Sequence, residues 1–441
     1  MTDLPDAPLS HAADPIAADR ANAVSPIAGG HPNAAGNGNG NGSLIEIGVI
    51  VAGPLDAVDS QAAKLAVEQT DARLSELFPS FRFHFFEIKR PELAGTSMSV
   101  SGRVEPSLLL QQAVEERDSR HWDFAFVLTA AELVGNYSPY CFAALSRPLD
   151  TAIISMSLID PQALGVEANP EERIERIARR LSRLMLHSIG HLTGLAKSDH
   201  PNDLLYHPPN AQALDLMAGI DSESLARQRA ALAEIADQRL EEGAGRRLAY
   251  PTFAFRAAWI NRKEIYQAIW AARPWQFPQR LSRLTIAAFS TLAVLLMTAE
   301  AWDLALAQGA GNVFVLFVIT MLSTTFYVVL RQQLLVRRGT RRSEQSVVTS
   351  AAAFGIVFVG MATTWLALFV VGAILAHFLF PNELIVTWAS STIHTERQLN
   401  SIDRPHMAVF AASLSLLIGA LGASFESQHY FRHIIFVDEE I

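Results

Sequence analysis

Apolar and polar positions change rhythm twice along this chain, and those changes divide it into regions of different solvent. Residues 44–51 form a β-rich run closed by Gly53-Pro54, and residues 81–88 largely alternate. Two more short apolar runs, at 123–129 and 151–156, also read as strands. Helical spacing fills the intervals. One helix covers about 57–77, with Ala66, Thr70, Leu74 and Leu77 near one face, and another covers about 107–117. A long helix starts near Pro170, a residue suited to a first helical turn. Strands alternating with helices predict a sheet flanked by helices, an α/β (α+β) soluble half. A polar helix over about 221–242 follows, with Asp221 or Ser222 as its N-cap. Residues 253–275 then mix Trp259, Tyr266, Trp270 and Trp275 with Arg256, Arg262, Lys263 and Arg273. That mixture predicts a single interfacial helix at headgroup depth.

From residue 284 the rhythm gives way to long uncharged apolar runs. Four of them, at about 284–305, 313–330, 354–380 and 407–425, reach the roughly 17–25 residues that cross a bilayer core. The stretch 347–380 is uncharged apart from His377 and carries no Pro or Asn-Gly, so it is read as one tilted span rather than two. Glu300, Asp303 and His377 lie within a turn or two of predicted boundaries, where ionisable groups reach headgroups and need no relay function. The expected organisation is a leader (1–43), an α/β domain (44–220), a connecting and juxtamembrane segment (221–283), an all-α bundle of about four spans (284–425) and a tail (426–441).

Composition narrows the partners. The net charge of −9 has no basic stripe within it, which argues against nucleic acid and leaves the lipid bilayer and an unidentified protein or peptide. Cys141 is the only cysteine, so no intramolecular disulfide is possible. The leader is rich in Ala, Pro, Gly, Asn and Asp, ends in the tract Gly36–Gly42, and is read as disordered. It has no apolar core of a secretory signal.

One constellation carries chemical content. His187-Ser188-Ile189-Gly190-His191-Leu192-Thr193-Gly194-Leu195 ends the long helix, and histidines at i and i+4 project from one face. Ile174, Ile177, Leu181 and Leu184 continue that face upstream, so the imidazoles point inward. Gly194 permits a sharp turn through which a third ligand could fold back.

At these residues the chain resembles the metzincin zinc metallopeptidases, whose signature is His-Glu-x-x-His-x-x-Gly-x-x-His followed by a methionine turn. The preceding order of elements looks most like the archaemetzincin branch. The following stretch, Lys197-Ser198-Asp199-His200-Pro201 through Tyr206-His207-Pro208, looks more like the matrixin pattern. The resemblance implies a zinc site and peptide hydrolysis, but three positions depart from it. Ser188 stands where the family has its general base, Lys197 where it has a third histidine, and Leu205 where it has the turn methionine, with Met217 a little further on. A serine hydroxyl is no general base near neutral pH, and an ammonium repels a cation. His187 and His191 could still recruit Asp199, His200 or His207 as a replacement zinc ligand.

The leading expectation is therefore a membrane-tethered pseudo-peptidase acting by binding or regulation, not an enzyme. The alternatives are an active membrane-anchored zinc peptidase with a variant His-x-x-x-His-x-x-Gly site, and a small transporter or channel whose cytoplasmic domain regulates it. The charge pattern also predicts orientation. Arg331, Arg337, Arg338, Arg341 and Arg342 cluster between spans two and three, which places that loop, the soluble half and the C-terminal residues in the cytoplasm. Reporters fused at the N-terminus and after Ile441 should both be active only in the cytoplasm; an N-terminal reporter active only outside would show the reverse orientation.

Overall fold

The computed structural model describes residues 25–26, 43–96, 102–136, 138, 141–162, 165, 169–236, 249–334, 344–388, 400–422 and 428–441. Most of the leader, the connector beyond residue 236 and the arginines at 337, 338, 341 and 342 lie outside them.

The soluble part is built on seven strands: β1 (Ser25–Pro26), β2 (Ser43–Ala52), β3 (Phe81–Arg90), β4 (Phe124–Thr129), β5 (Ala143–Ser146), β6 (Thr151–Ser155) and β7 (Glu439–Glu440). They are arranged in the order β1-β3-β2-β4-β6-β5-β7. The four strands read from sequence, β3-β2-β4-β6, run parallel at the centre. The three strands without a sequence signal, β1, β5 and β7, pair antiparallel at the flanks.

Alternating side chains separate two faces. Ile47, Val49, Phe126, Leu128 and Ile154 pack under α1 (Ala57–Leu77). Ile50, Ala125, Val127 and Ile153 face the opposite layer. Asp56 caps α1 by accepting from the Asp59 amide at 2.6 Å. After α2 (Pro91–Thr96), the second layer begins with α3 (Pro106–Arg120). This helix ends at left-handed His121, whose residue neighbour Trp122 stacks on Phe86. The helix α4 (Pro170–Leu192) starts with Pro170 in its first turn and lies beside α1, where the Thr70 hydroxyl meets that of Ser182 at 3.0 Å. Two smaller helices, α5 (Ala211–Leu214) and α6 (Ser222–Ile235), complete this part, and Asp221 caps α6.

The juxtamembrane stretch forms two helices, α7 (Tyr250–Ile260) and α8 (Arg262–Ala271), in place of the single one expected. The break is at Asn261, whose side-chain amide donates to Ala257 O at 3.0 Å and reaches Glu344 Oε1 at 2.5 Å. Trp259, Tyr266 and Trp270 stand more than half exposed along it. A 3-10 turn and α9 (Phe277–Arg280) lead into the apolar helices.

The first apolar run is likewise not one straight span. It bends by 84° between α10 (Ser282–Leu296) and α11 (Ala299–Ala307). The indole of buried Trp302 donates to Leu296 O across the bend and satisfies a carbonyl freed there. Then come α12 (Ala310–Arg331), α13 (Glu344–Phe378), α14 (Asn382–Trp388), α15 (Asp403–Gly422) and α16 (Gln428–Phe436). Within the described residues three helices, in α12, α13 and α15, are long and apolar enough to cross a membrane, or four spans if the bent pair counts as one.

The ambiguous third run is a single helix of 35 residues. At 1.5 Å per residue it is about 52 Å long, well beyond a hydrocarbon core of about 30 Å. Its first turns accordingly reach the soluble part, where Thr349 donates to Pro148 O. At its other end Arg404 binds His377 O and Phe380 O, covering helix-end carbonyls.

Candidate functional site

Packing on α4 determines where its chemistry points. Ile177, Leu181, Leu184 and Ile189 are buried against the sheet and α1. Arg180, almost fully buried, clamps the helix by a two-toothed ion pair with Asp215 and a bond to Ile159 O. The last turn then presents His187 and His191 together. His187 Nδ1 lies 2.8 Å from Leu204 O. A carbonyl can only accept, so Nδ1 carries the proton and Nε2 faces the site.

Two glycines make the following turn possible. Gly194 has φ +88°, and its amide donates to His191 O while Leu195 N returns to Gly190 O. A Cβ there would also lie 2.2 Å from Arg147 Nη2. At Gly190 a Cβ would lie 2.5 Å from Leu205 Cδ2, so Leu205 closes down on the helix where the resemblance implied a methionine. Met217 is fully buried in the same core. Ser198 N to Leu205 O, and Leu204 N to Gly219 O, fold the chain back so that His207 approaches the histidine pair.

What these residues surround is a carboxylate from the end of the sequence. Residues 428–441, read from sequence as part of a tail, form α16 and then β7. The strand adds to β5 with Leu145 opposite Glu439 and Ala144 opposite Glu440. Asp438 N donates to Leu145 O, Ile441 N to Ala143 O, and Phe142 N to Ile441 O. This register drives the Glu439 side chain, 1% exposed, among the histidines. Its Oε2 is 2.5 Å from His191 Nδ1, and its Oε1 is 2.7 Å from Lys197 Nζ. His187 Nε2 and His207 Nδ1 each stand 3.8 Å from the same Oε1. The neighbouring acids are held too. Asp438 Oδ2 is 3.0 Å from His191 Nε2. Glu440 accepts from the amides of Asn136 and Ser138 and pairs with buried His433 at 2.6 Å.

The electrostatics are those of an anion receptor. Burial alone would lower the pKa of His191, but Asp438 and Glu439, one on each ring nitrogen, outweigh it and push the value up to about 10. Burial opposes ionisation of Glu439 as well, yet the surrounding imidazoles of His187, His191 and His207, with the charge on His191, hold it well below the usual carboxylate range. The result is an imidazolium and an ammonium against two carboxylates. Ser188 takes no part: it is fully buried, and its hydroxyl donates to Leu184 O of its own helix at 2.6 Å. Cys141 offers no nucleophile, because burial, with Glu440 nearby, pushes its thiol above the ordinary range.

Zinc does not fit this arrangement. A metal ligand must present a free nitrogen lone pair, and both nitrogens of His191 lie against carboxylates, Nδ1 at 2.5 Å from Glu439 and Nε2 at 3.0 Å from Asp438. Lys197 places a further positive charge at the same centre. Among the described residues no group of three or more His, Cys, Asp or Glu is disposed to hold a metal ion. Of the replacement ligands expected from sequence, His207 approaches the centre, whereas Asp199 and His200 are exposed in the turn after Ser198. Sequence reasoning missed Asp438, Glu439, Glu440 and Arg147. The available signal was charge complementarity, three consecutive acids at 438–440 and a cation, Lys197, in a histidine cluster.

The chain matches no protein-family model and no curated protein. Solved structures similar to part of it are archaemetzincin-type zinc peptidases. The archaemetzincin of Methanopyrus kandleri is 18% identical, with a TM-score of 0.34 over 44% of this chain and 98% of its own. A zinc-dependent peptidase of Methanocorpusculum labreanum is 15% identical, with a TM-score of 0.34 over 41% and 99%. The archaemetzincin of Archaeoglobus fulgidus, solved with malonate, is 14% identical, with a TM-score of 0.30 over 42% and 99%.

Linkage fixes the pH dependence of this site. His191 has a folded pKa raised from 6.5, so its stabilisation is complete below about pH 6.5 and is lost as pH rises through about 10. Glu439 has a lowered pKa, so its contribution is present above about pH 4.5 and lost as pH falls below that. The melting temperature of the full chain in detergent should therefore fall from pH 7 to pH 10, and His191→Gln should flatten that slope. Parallel slopes for the two proteins would contradict the assignment.

Proposed function

We propose that this chain is a membrane-tethered, metzincin-like domain that works by binding peptide rather than by hydrolysing it. The observation that carries this reading is the Glu439 carboxylate seated between His191 and Lys197, where the motif resemblance implies a zinc-bound water. Supporting it, Ser188 lacks a carboxylate and spends its hydroxyl on the helix backbone. Hydrolysis of an amide needs a polarising centre and a base, and the described residues assemble neither here.

The membrane part anchors and positions this domain. The helices α12, α13 and α15 expose Phe314, Ile319, Leu366 and Leu421, side chains suited to lipid contact. The exposed Trp259, Tyr266 and Trp270, with Arg262 over the Trp259 ring, suit the headgroup layer. Strands β5 and β7 belong to one sheet but lie on opposite sides of the membrane region in sequence. A sheet sits on one side of a bilayer, so the number of crossings between them is even. With three straight spans, the bent pair α10–α11 supplies the fourth, and the charge pattern assigns the shared side to the cytoplasm.

The purified chain, incubated with unfolded protein substrates and zinc, should show no chelator-sensitive cleavage above that of His187→Ala. A positioned base contributes about 10²–10⁴-fold, so a working site is easily distinguished. Chelator-sensitive cleavage that His187→Ala abolishes would establish the peptidase reading instead.

A further inference from the structure

We infer that the groove between β5, the last turn of α4, Lys197 and His207 is a receptor for an extended acidic peptide, and that residues 437–441 are its built-in, displaceable occupant. This deepens the binding reading by naming the ligand class.

Recognition is divided along the segment. Main-chain bonds to β5 hold the peptide extended and are indifferent to its sequence: Asp438 N to Leu145 O, Ile441 N to Ala143 O, and Phe142 N to Ile441 O. Specificity comes from the side chains. Glu439 enters the deepest position, between His191 and Lys197. Asp438 meets the other nitrogen of His191, and its Oδ1 lies 3.4 Å from Arg147 N. Glu440 accepts from the amides of Asn136 and Ser138. Ile441, 1% exposed, enters the apolar cluster formed with Phe142 and Ala143. The groove thus reads acid, acid, acid, aliphatic. A neutral amide at the central position would leave Lys197 and His191 facing a group without charge.

The occupant is held by a separate tether. The helix α16 is pinned by Arg432, which donates to Gln332 O at 3.1 Å and to Gln111 Oε1 at 2.8 Å, and reaches Gln333 Oε1 at 3.3 Å. Gln332 and Gln333 directly follow α12, so the tether ends on a predicted membrane span. A short tether keeps its ligand at an effective concentration on the order of millimolar. A free peptide at micromolar concentration therefore enters only when the internal segment is weakened.

The test uses the full chain in detergent and a fluorescent peptide of sequence Val-Asp-Glu-Glu-Ile, read by anisotropy. Wild type should bind it weakly. Glu439→Gln, which weakens the internal segment and leaves the groove intact, should raise the apparent affinity by about 30-fold, the effect of removing one partner of a buried charge pair. Adding Lys197→Met should abolish that gain, and a peptide with glutamine at the central position should not show it. Arg432→Gln loosens the tether outside the groove and should give a gain in the same direction, so the outcome does not hang on one variant. Two results would overturn the inference: no gain in either variant with an unchanged circular dichroism spectrum, or an equal gain for the glutamine peptide. Cleavage of the bound peptide would instead count against the non-hydrolytic reading while upholding the specificity, so the two claims fail separately.

Discussion

A carboxylate withdrawn from water is costly unless opposite charge and hydrogen bonds meet it, and in this protein the Glu439 carboxylate, 1% exposed, is met by His191 and Lys197. Much of the architecture is arranged around that contact. The turn at Gly194 brings Lys197 and His207 back toward α4, and the bond from His187 Nδ1 to Leu204 O fixes the ring beside them. Two residues of main-chain pairing alone make a weak strand, and β7 is held further by its acidic side chains and by the buried Ile441. Through α16 and Arg432 the same contact joins the sheet to the end of α12. Removing one partner of such a pair leaves the other uncompensated, at a cost of about 2 kcal/mol where, as here, one partner, Lys197, is half exposed.

The same helix face serves opposite chemistries according to what lies opposite it. Two histidines one turn apart suit a metal when both are neutral and a further neutral or anionic ligand completes the shell. Here the third position is the cation Lys197, and the group at the centre is an anion. His191 responds by holding its proton, its pKa pushed up to about 10 by the Asp438 and Glu439 carboxylates against it. Positive charge on His191 and Lys197 and negative charge on Asp438 and Glu439 balance locally.

Much of this was legible in the sequence where a pattern is long or a residue unusual. The helix 57–77 and the four central strands follow from periodicity, because buried parallel strands need sustained apolar runs. The inward pair His187 and His191 followed from spacing, and Lys197 stands beside them at the centre of the cluster. The flanking strands β5 and β7 were not legible. Ala143–Ser146 is four residues long and Glu439–Glu440 two, and an acidic dipeptide resembles a solvated tail until its cationic partners, more than 230 residues away in sequence, are brought beside it. Helix breaks were equally hidden. Asn261 and the bend at Met297–Thr298 carry no Pro or Gly and are accompanied instead by side-chain bonds, from Asn261 to Glu344 and from Trp302 to Leu296.

Native-state hydrogen exchange of the full chain addresses the central claim most directly, because it reports whether residues 437–441 occupy the groove in solution. The Asp438 and Ile441 amides donate to Leu145 O and Ala143 O. They should exchange far more slowly than in the isolated peptide, with protection reduced by Glu439→Gln. Exchange of both at the free-peptide rate, while the β4 amides of Phe126 and Val127 stay protected, would show that the sheet forms without its last strand and that the Glu439 contact does not organise the site.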